Sequence, residues 1–326
     1  MGTAEIACPS LAALCASPGV SVVAVVAQPD RPKGRDLKVQ PSAVKQLAVE
    51  KGMLVLQPER ARQAGFARQL AALRPDLIAV MAFGQILPPA ILDLPRFGCV
   101  NVHTSLLPKH RGAAPIQWAL LNGDSETGVT IMQMDAGLDT GPILAQRATR
   151  IRPEDNAQTL YDRLAQMGAE LLVETIPGLV SGTMKPRPQP AGGASHAPKI
   201  KKEDGRVDWR LPAQVIWNRL RAFTPWPGAF THRFVVPPSG GGGSRGDSPP
   251  DGGTPNPAHL LKIWQAEVVP QGGTPGEVLR ADKAGLVVAC GQDALRILEL
   301  QHAGGRRLTA QEFLAGHALQ AGDKLG

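Results

Sequence analysis

Through its first half the chain alternates short apolar runs with stretches whose apolar residues recur at helical spacing. Candidate strands fall at 21–28, 53–57, 76–83, 97–103, 128–134 and 143–148, and candidate helices at 9–17, 42–51, 61–73 and 114–122. Strands separated by helix-length segments predict right-handed βαβ units and a mainly parallel, doubly wound α/β sheet of Rossmann-like type. A longer amphipathic helix is predicted over 156–176, ended by Pro177-Gly178. Its Leu160, Leu164, Met167, Leu171 and Thr175 step by three or four, so all but the threonine form one apolar face.

The pattern changes at Gly182. Residues 183–198 are rich in Pro, Gly, Ala and Ser and read as a linker. This places one domain at 1–182 and a second at 199–326. A helix pattern at 213–222 precedes short strands at 260–267, 276–280, 285–289 and 294–300, which predict a small β-barrel or sandwich. The insertion 237–259, PPSGGGGSRGDSPPDGGTPNPAH, is too poor in apolar residues to order itself and reads as a flexible loop. Its Arg245-Gly246-Asp247 resembles an adhesion tripeptide, for which chance is the better account.

Composition narrows the function classes. Hydrophobic residues make up 43% and charged residues 19% of the 326, as in an ordinary globular protein. No apolar run reaches the length of a membrane span, and the N-terminus lacks the basic start and apolar core of a signal peptide. A cytoplasmic protein is expected. Cys8, Cys15, Cys99 and Cys290 are scattered, with no CxxC pair, and no HExxH occurs. Neither a disulfide framework nor a metal is expected, and Cys99 reads as a small core residue. The net charge of +7 hints at a polyanionic partner. Between Lys185 and Arg221 nine Lys or Arg residues face three acidic ones, although a solvated surface explains that as well.

The strand at 97–103 closes on Asn101 and His103, which share a face because they are two residues apart. In an open α/β sheet ligands bind beyond the carboxyl ends of the strands. The strand at 128–134 runs into Asp135-Ala-Gly-Leu-Asp139-Thr-Gly141, a glycine-punctuated loop able to bring a carboxylate to the imidazole. With no Ser or Cys nucleophile, the set suits direct transfer: an amide for an oxyanion, an imidazole for a proton, a carboxylate to orient it. By spacing alone, a strand-end His and a capping Asp are also common without chemistry.

The block NVHTSLLPKHRGAAPIQWALLNGDSETGVTIMQMDAGLDTGPIL resembles the signature of the 10-formyltetrahydrofolate-dependent formyltransferases. The resemblance implies Asn101, His103 and Asp139 as catalytic residues. It also implies Ser105, Leu106, Leu107 and Pro108 as folate-binding, with Phe83, Gln85, Ile86 and Leu87 lining the pterin pocket. Gln28-Pro-Asp-Arg-Pro-Lys-Gly-Arg-Asp-Leu-Lys38 is similar to a basic loop in the branch of that family acting on initiator methionyl-tRNA. Alone it would read as a proline-rich surface turn. In that context Arg31, Lys33, Arg35 and Lys38 are expected to meet tRNA phosphates, joined by Lys199, Lys201 and Lys202. Residues 199–209, Phe223-Thr-Pro-Trp-Pro227 and Phe313-Leu-Ala-Gly-His317 through Gly326 resemble the same branch, whose second domain is OB-like.

Gly2-Thr-Ala-Glu-Ile resembles the family's first strand-to-helix turn, but only Met1 stands where an apolar strand is expected. The sheet is therefore expected to lack its first strand, with a true start upstream of Met1. Rival readings are a formyltransferase for a small amine, a hydrolase of the same folate, and a non-catalytic RNA-binding protein on that scaffold. A monomer is expected, since no extended heptad or exposed apolar stripe stands out.

Overall fold

The apolar runs of the first half form short strands whose hydrogen bonds place their polar ends together. The computed structural model describes residues 1–33, 38–233, 260–283 and 285–326. They divide into two units, Met1–Ala119 with Asp124–Lys199, and Leu120–Gly123 with Ile200–Gly326.

In the first unit Val25–Val26 pairs in parallel with Val55–Leu56, and Ile78–Val80 pairs in parallel with Cys99–His103. Two further pairings correct the mainly parallel expectation. Cys99–His103 runs antiparallel to Glu126–Gln133, which runs antiparallel to Ile143–Arg150. The few residues between Gln133 and Ile143 can make a hairpin loop but not the crossover a parallel pair needs. Helices Cys8–Ala16, Ala43–Glu50, Ala64–Ala72 and Pro115–Leu121 fall within or beside the predicted ranges. Ser42 caps the second by accepting from Lys45 N.

Helix Ala157–Val180 starts at an Asn156–Thr159 capping box and runs through Pro177, ending four residues beyond the predicted 176. Proline removes one amide donor, and in the last turn that costs a single helical bond. The Pro177 and Gly178 carbonyls still accept, from Ser181 N and Met184 N. Leu160, Leu164, Leu171 and Thr175 are buried, and Met167 is half-buried.

The two parallel pairs do not hydrogen-bond to each other. Met1 and Gly2 run in between them: Gly2 N donates to Val26 O at 2.9 Å and Met81 N donates to Met1 O at 3.0 Å. Beside this stub lies a cavity of about 420 Å³ whose walls include Val22, Ala24, Leu77, Ala79, Val102 and Leu172. Peptide groups alternate sides along a strand. Ile78 N donates to Gly98 O and Val25 N to Leu54 O, so Ala79 and Ala24 turn their amides the other way, towards the cavity. The Met1 ammonium donates to Ala79 O at 2.6 Å, and burial lowers its pKa from 8.0 to about 6. Cys99, 1% exposed, is a core residue whose thiol burial pushes up to about 12.

The stretch 183–198, which composition reads as a linker, is paired along the first unit. Arg187 exchanges backbone hydrogen bonds with Ile143, and His196–Ala197 forms a short parallel ladder with Arg111–Gly112.

In the second unit one sheet runs in the order Ala229–His232, Leu260–Val269, Ala294–His302, Gly285–Ala289, Val278–Asp282, with Arg307–Thr309 also on Ala294–His302. Neighbours are antiparallel, and among the described residues the pairing does not close into the expected barrel. Helix Ala213–Ala222 buries Ile216 and Leu220 in a core with Trp209, Leu261, Val288 and Phe313. The insertion 237–259 lies outside the described residues.

Candidate active site

Cys99–His103 supplies the first two groups. Val80 pairs with Asn101, so two neighbouring parallel strands end together, and the loops that leave them rise from one edge. The Gly2–Thr3 turn meets the same edge, where Thr3 Oγ1 donates to Phe83 O. Asn101 is half-buried and His103 is buried.

The third group arrives from the loop after Gln133. Asp135 accepts from Gly137 N and Thr140 Oγ1, tying the turn, and Asp139 takes a left-handed φ of 53° at its tip. That turn carries the Asp139 carboxylate back over the strand end. Oδ2 accepts from Gly112 N at 2.9 Å, and Oδ1 lies 3.4 Å from Asn101 Nδ2, a long hydrogen bond. Asp139 Oδ2 stands 3.7 Å from His103 Nδ1, within ionic reach of the ring. On its other side His103 Nε2 is 2.9 Å from the His110 carbonyl. The expected amide, imidazole and carboxylate are therefore brought together, at side-chain exposures of 6% for His103 and 14% for Asp139. Gly112 has a φ of +126°, and a Cβ there would stand 2.7 Å from Ala197 O, so the donor to Asp139 requires glycine.

Ser105–Pro108 follows directly. Ser105 Oγ donates to Lys109 O at 2.6 Å. Thr130 Oγ1 donates to Ser105 O and accepts from Leu107 N, while Gln146 Nε2 donates to Leu107 O. Ser105 and Leu107 are buried, whereas Leu106 and Pro108 are half-exposed. The hydroxyl of Ser105 thus holds the turn rather than facing outward.

The segment 83–87 behaves unlike a uniform pocket wall. Phe83 and Leu87, 2% and 3% exposed, pack into the core with Val26, Phe66 and Val80. Gln85 folds back, accepting from Ala61 N at 2.6 Å. Ile86 alone among the four projects, at 83% exposure.

Of the basic positions, Arg31 and Lys33 lie on Arg31–Lys33 and Lys38 on Lys38–Gln40, an antiparallel pair that the hydrophobic pattern does not reveal. Arg31 is exposed, and Arg35 lies outside the described residues. Lys199, Lys201 and Lys202 are exposed.

Three contributors are not evident from the sequence. Gln189 Nε2 donates to Asp139 O and Gly141 O at 2.8 Å each, and its Oε1 accepts from Arg111, fastening the Asp139 loop. Thr130 and Gln146 build the turn after His103. Gln189 stands 50 residues from its partner in a Pro- and Gly-rich stretch, so no local pattern announces it. Thr130 carries one usable signal, a hydroxyl inside an apolar strand.

The sequence matches the family described as formyl transferase over residues 7–176, and the family described as formyl transferase, C-terminal domain, over residues 199–318. Similar curated proteins include the methionyl-tRNA formyltransferases of Geobacter metallireducens, 48% identical over all of this chain and 97% of that protein, and of Aromatoleum aromaticum, 48% identical over 99% and 95%. Among solved structures, the N-formyltransferase from Helicobacter canadensis in complex with folinic acid and dTDP-3-aminofucose has a TM-score of 0.60 at 17% identity, covering 91% of this chain and 97% of that one. HypX from Aquifex aeolicus in complex with tetrahydrofolic acid has a TM-score of 0.53 at 19% identity, over 82% and 43%.

Proposed function

The chain belongs to the formyl transferase family, and on that basis we propose that it moves the formyl group of 10-formyltetrahydrofolate to the α-amine of initiator methionyl-tRNA. One observation carries this choice of acceptor. The match to methionyl-tRNA formyltransferases, at 48% identity, runs over the whole chain and so through both domains. The tetrahydrofolate-bound and dTDP-3-aminofucose-bound structures share the fold at under 20% identity and carry no argument about the acceptor.

The site's chemistry fits direct transfer. The α-amine nitrogen attacks the formyl carbon, forming the new C–N bond as the carbonyl oxygen becomes an oxyanion. Asn101 donates to that oxygen. His103 accepts the proton the amine must lose, on Nδ1, the ring nitrogen that faces Asp139. Asp139 acts through His103, orienting the ring and balancing the charge it gains. Collapse of the oxyanion breaks the bond to the folate nitrogen, which receives the proton back from His103. The products are N-formylmethionyl-tRNA and tetrahydrofolate.

Ser105, Leu106, Leu107 and Pro108 hold the folate through the turn pinned by Thr130 and Gln146. From 83–87, Ile86 offers its side chain, while Phe83 and Leu87 anchor the segment from the core and Gln85 ties it to Ala61. Arg31, Lys33, Arg35 and Lys38, with Lys199, Lys201 and Lys202, contact tRNA phosphates. The second unit is read as OB-like, supported by the register shifts between Ile263 and Ala266 that bend its longest strand. His103→Ala is expected to lower kcat for methionyl-tRNA formylation by at least roughly 10²-fold. Near-normal turnover by that variant would remove His103 from the reaction.

A further inference from the structure

His110 lies outside the amide, imidazole and carboxylate just described, yet its carbonyl is the partner of His103 Nε2, at 2.9 Å. A carbonyl can only accept, so this contact requires a proton on Nε2. In the neutral ring that leaves Nδ1, the nitrogen facing Asp139, bare and able to take the amine's proton. Which nitrogen of His103 works is therefore decided by where the His110 carbonyl points.

That carbonyl is held unusually firmly. His110 adopts a φ of +60°, a left-handed conformation uncommon outside glycine. Its ring is 3% exposed and engaged at both nitrogens: Nε2 is 2.7 Å from Asp124 Oδ2, and Nδ1 is 3.4 Å from the Ser195 hydroxyl. His110 N donates to the same Ser195 oxygen at 2.9 Å. Ser195 is in turn fixed by its backbone, which donates to Pro108 O and accepts from Arg111 N. The Asp124 carboxylate also faces Lys109 Nζ at 3.7 Å, so it stays placed opposite the ring. The ring is held by Asp124 and Ser195, and the peptide bearing the carbonyl is held from its other side by Arg111 N, which donates to Ser195 O at 2.8 Å.

We infer that His110, clamped by Asp124 and Ser195, is a positioning residue that sets the tautomer and ring plane of His103 so that Nδ1 serves as the proton acceptor. The inference rests on the transfer reaction proposed above for its consequence in turnover, but not for the tautomer itself. It also gives a function to the stretch around Ser195, which composition reads as a linker: it closes the clamp.

The test is nitrogen-15 NMR of the histidine rings in the full-length protein, at a pH where His103 is neutral, alongside steady-state kinetics. In the unaltered chain the His103 pattern is expected to be that of the Nε2-protonated form. His110→Asn tolerates the left-handed backbone while losing both ring anchors, and Asp124→Ala frees the ring without touching His110. Both are expected to give a mixture of tautomers and to lower kcat by about 10- to 100-fold, with KM for either substrate within about twofold. Asp124→Asn keeps an acceptor for Nε2 and is expected to preserve the tautomer. An Nδ1-protonated His103 in the unaltered chain, or an unchanged His103 pattern in both disrupting variants, overturns the inference. Because these spectra need no substrate, a failure of the tautomer assignment is distinguishable from a failure of the proposed reaction.

Discussion

The sharpest perturbation of the site is Asp139→Asn, which removes a charge and keeps the shape, at the cost of the long 3.4 Å hydrogen bond from Asn101 Nδ2. The asparagine oxygen can still accept from Gly112 N, now 2.9 Å from Oδ2, so the loop and the fold should hold. What disappears is the attraction between a carboxylate and an imidazolium 3.7 Å apart. At an effective dielectric constant of about 20, that attraction is roughly 4 kcal/mol. In the proposed reaction His103 takes up the amine's proton as the transition state forms, so the loss falls on kcat rather than on substrate binding. Each 1.4 kcal/mol is about a factor of ten, and side-chain relaxation recovers some of the loss. A fall in kcat of roughly 10²- to 10³-fold is expected. The assay is steady-state formylation of methionyl-tRNA with both substrates varied, paired with a thermal melt of each variant. A kcat within about threefold of the unaltered chain, at equal stability, would reduce the carboxylate to a loop fastener and remove its charge from the mechanism. A fall confined to KM would contradict that role as well, by placing Asp139 in binding.

Two further predictions concern the fold. Five apolar residues placed ahead of Met1 should extend the Met1–Gly2 stub into the cavity between Ala24 and Ala79, replacing a buried ammonium by an amide. A rise in Tm of at least about 5 °C is expected, with none for a Gly/Ser extension of equal length; equal melts for the two would mean that the cavity does not take a strand. Asp155 is buried, which alone would raise its pKa, but hydrogen bonds from Arg163, Arg152 N and Thr159 outweigh burial and leave the carboxyl below the usual range. Its folded pKa lies below its unfolded one. Its stabilising contribution is therefore present above about pH 3.9 and lost as pH falls through the folded value. Urea melts should show Asp155→Asn clearly less stable than the unaltered chain at pH 7, and the gap should narrow towards pH 2; a gap that does not narrow contradicts the assignment.

The part of the site legible in the sequence is the part written in local spacing. A strand's period of two puts Asn101 and His103 on one face, and glycines flank Asp139 in a loop after a strand, but it is the family resemblance rather than the spacing that implies chemistry for the three. Phe83 and Leu87 show where such reading stops. Both resemble pocket residues in a motif, yet the turn at Ala82 and Gly84 sends their side chains into the core and leaves Ile86 outside. The antiparallel direction of Ile143–Arg150 is within reach, since only a loop separates it from Glu126–Gln133. Gln189 and Ser195 are not, because their partners lie tens of residues away and are set by the chain's return to the strand end. Pro177 misleads through the opposite error, a strong local rule applied in a last turn where it costs one bond.

Whether this site delivers formyl to the amine of an aminoacyl-tRNA is decided most sharply by label partition. Carbon-14 formyl on 10-formyltetrahydrofolate would be offered to the protein in one mixture holding methionyl-tRNA and a nucleotide-linked amino sugar. The label is expected on N-formylmethionine released from the tRNA, and to be lost with His103→Ala. Label on the sugar, or appearing as free formate while the tRNA stays unformylated, would contradict the assignment of the acceptor.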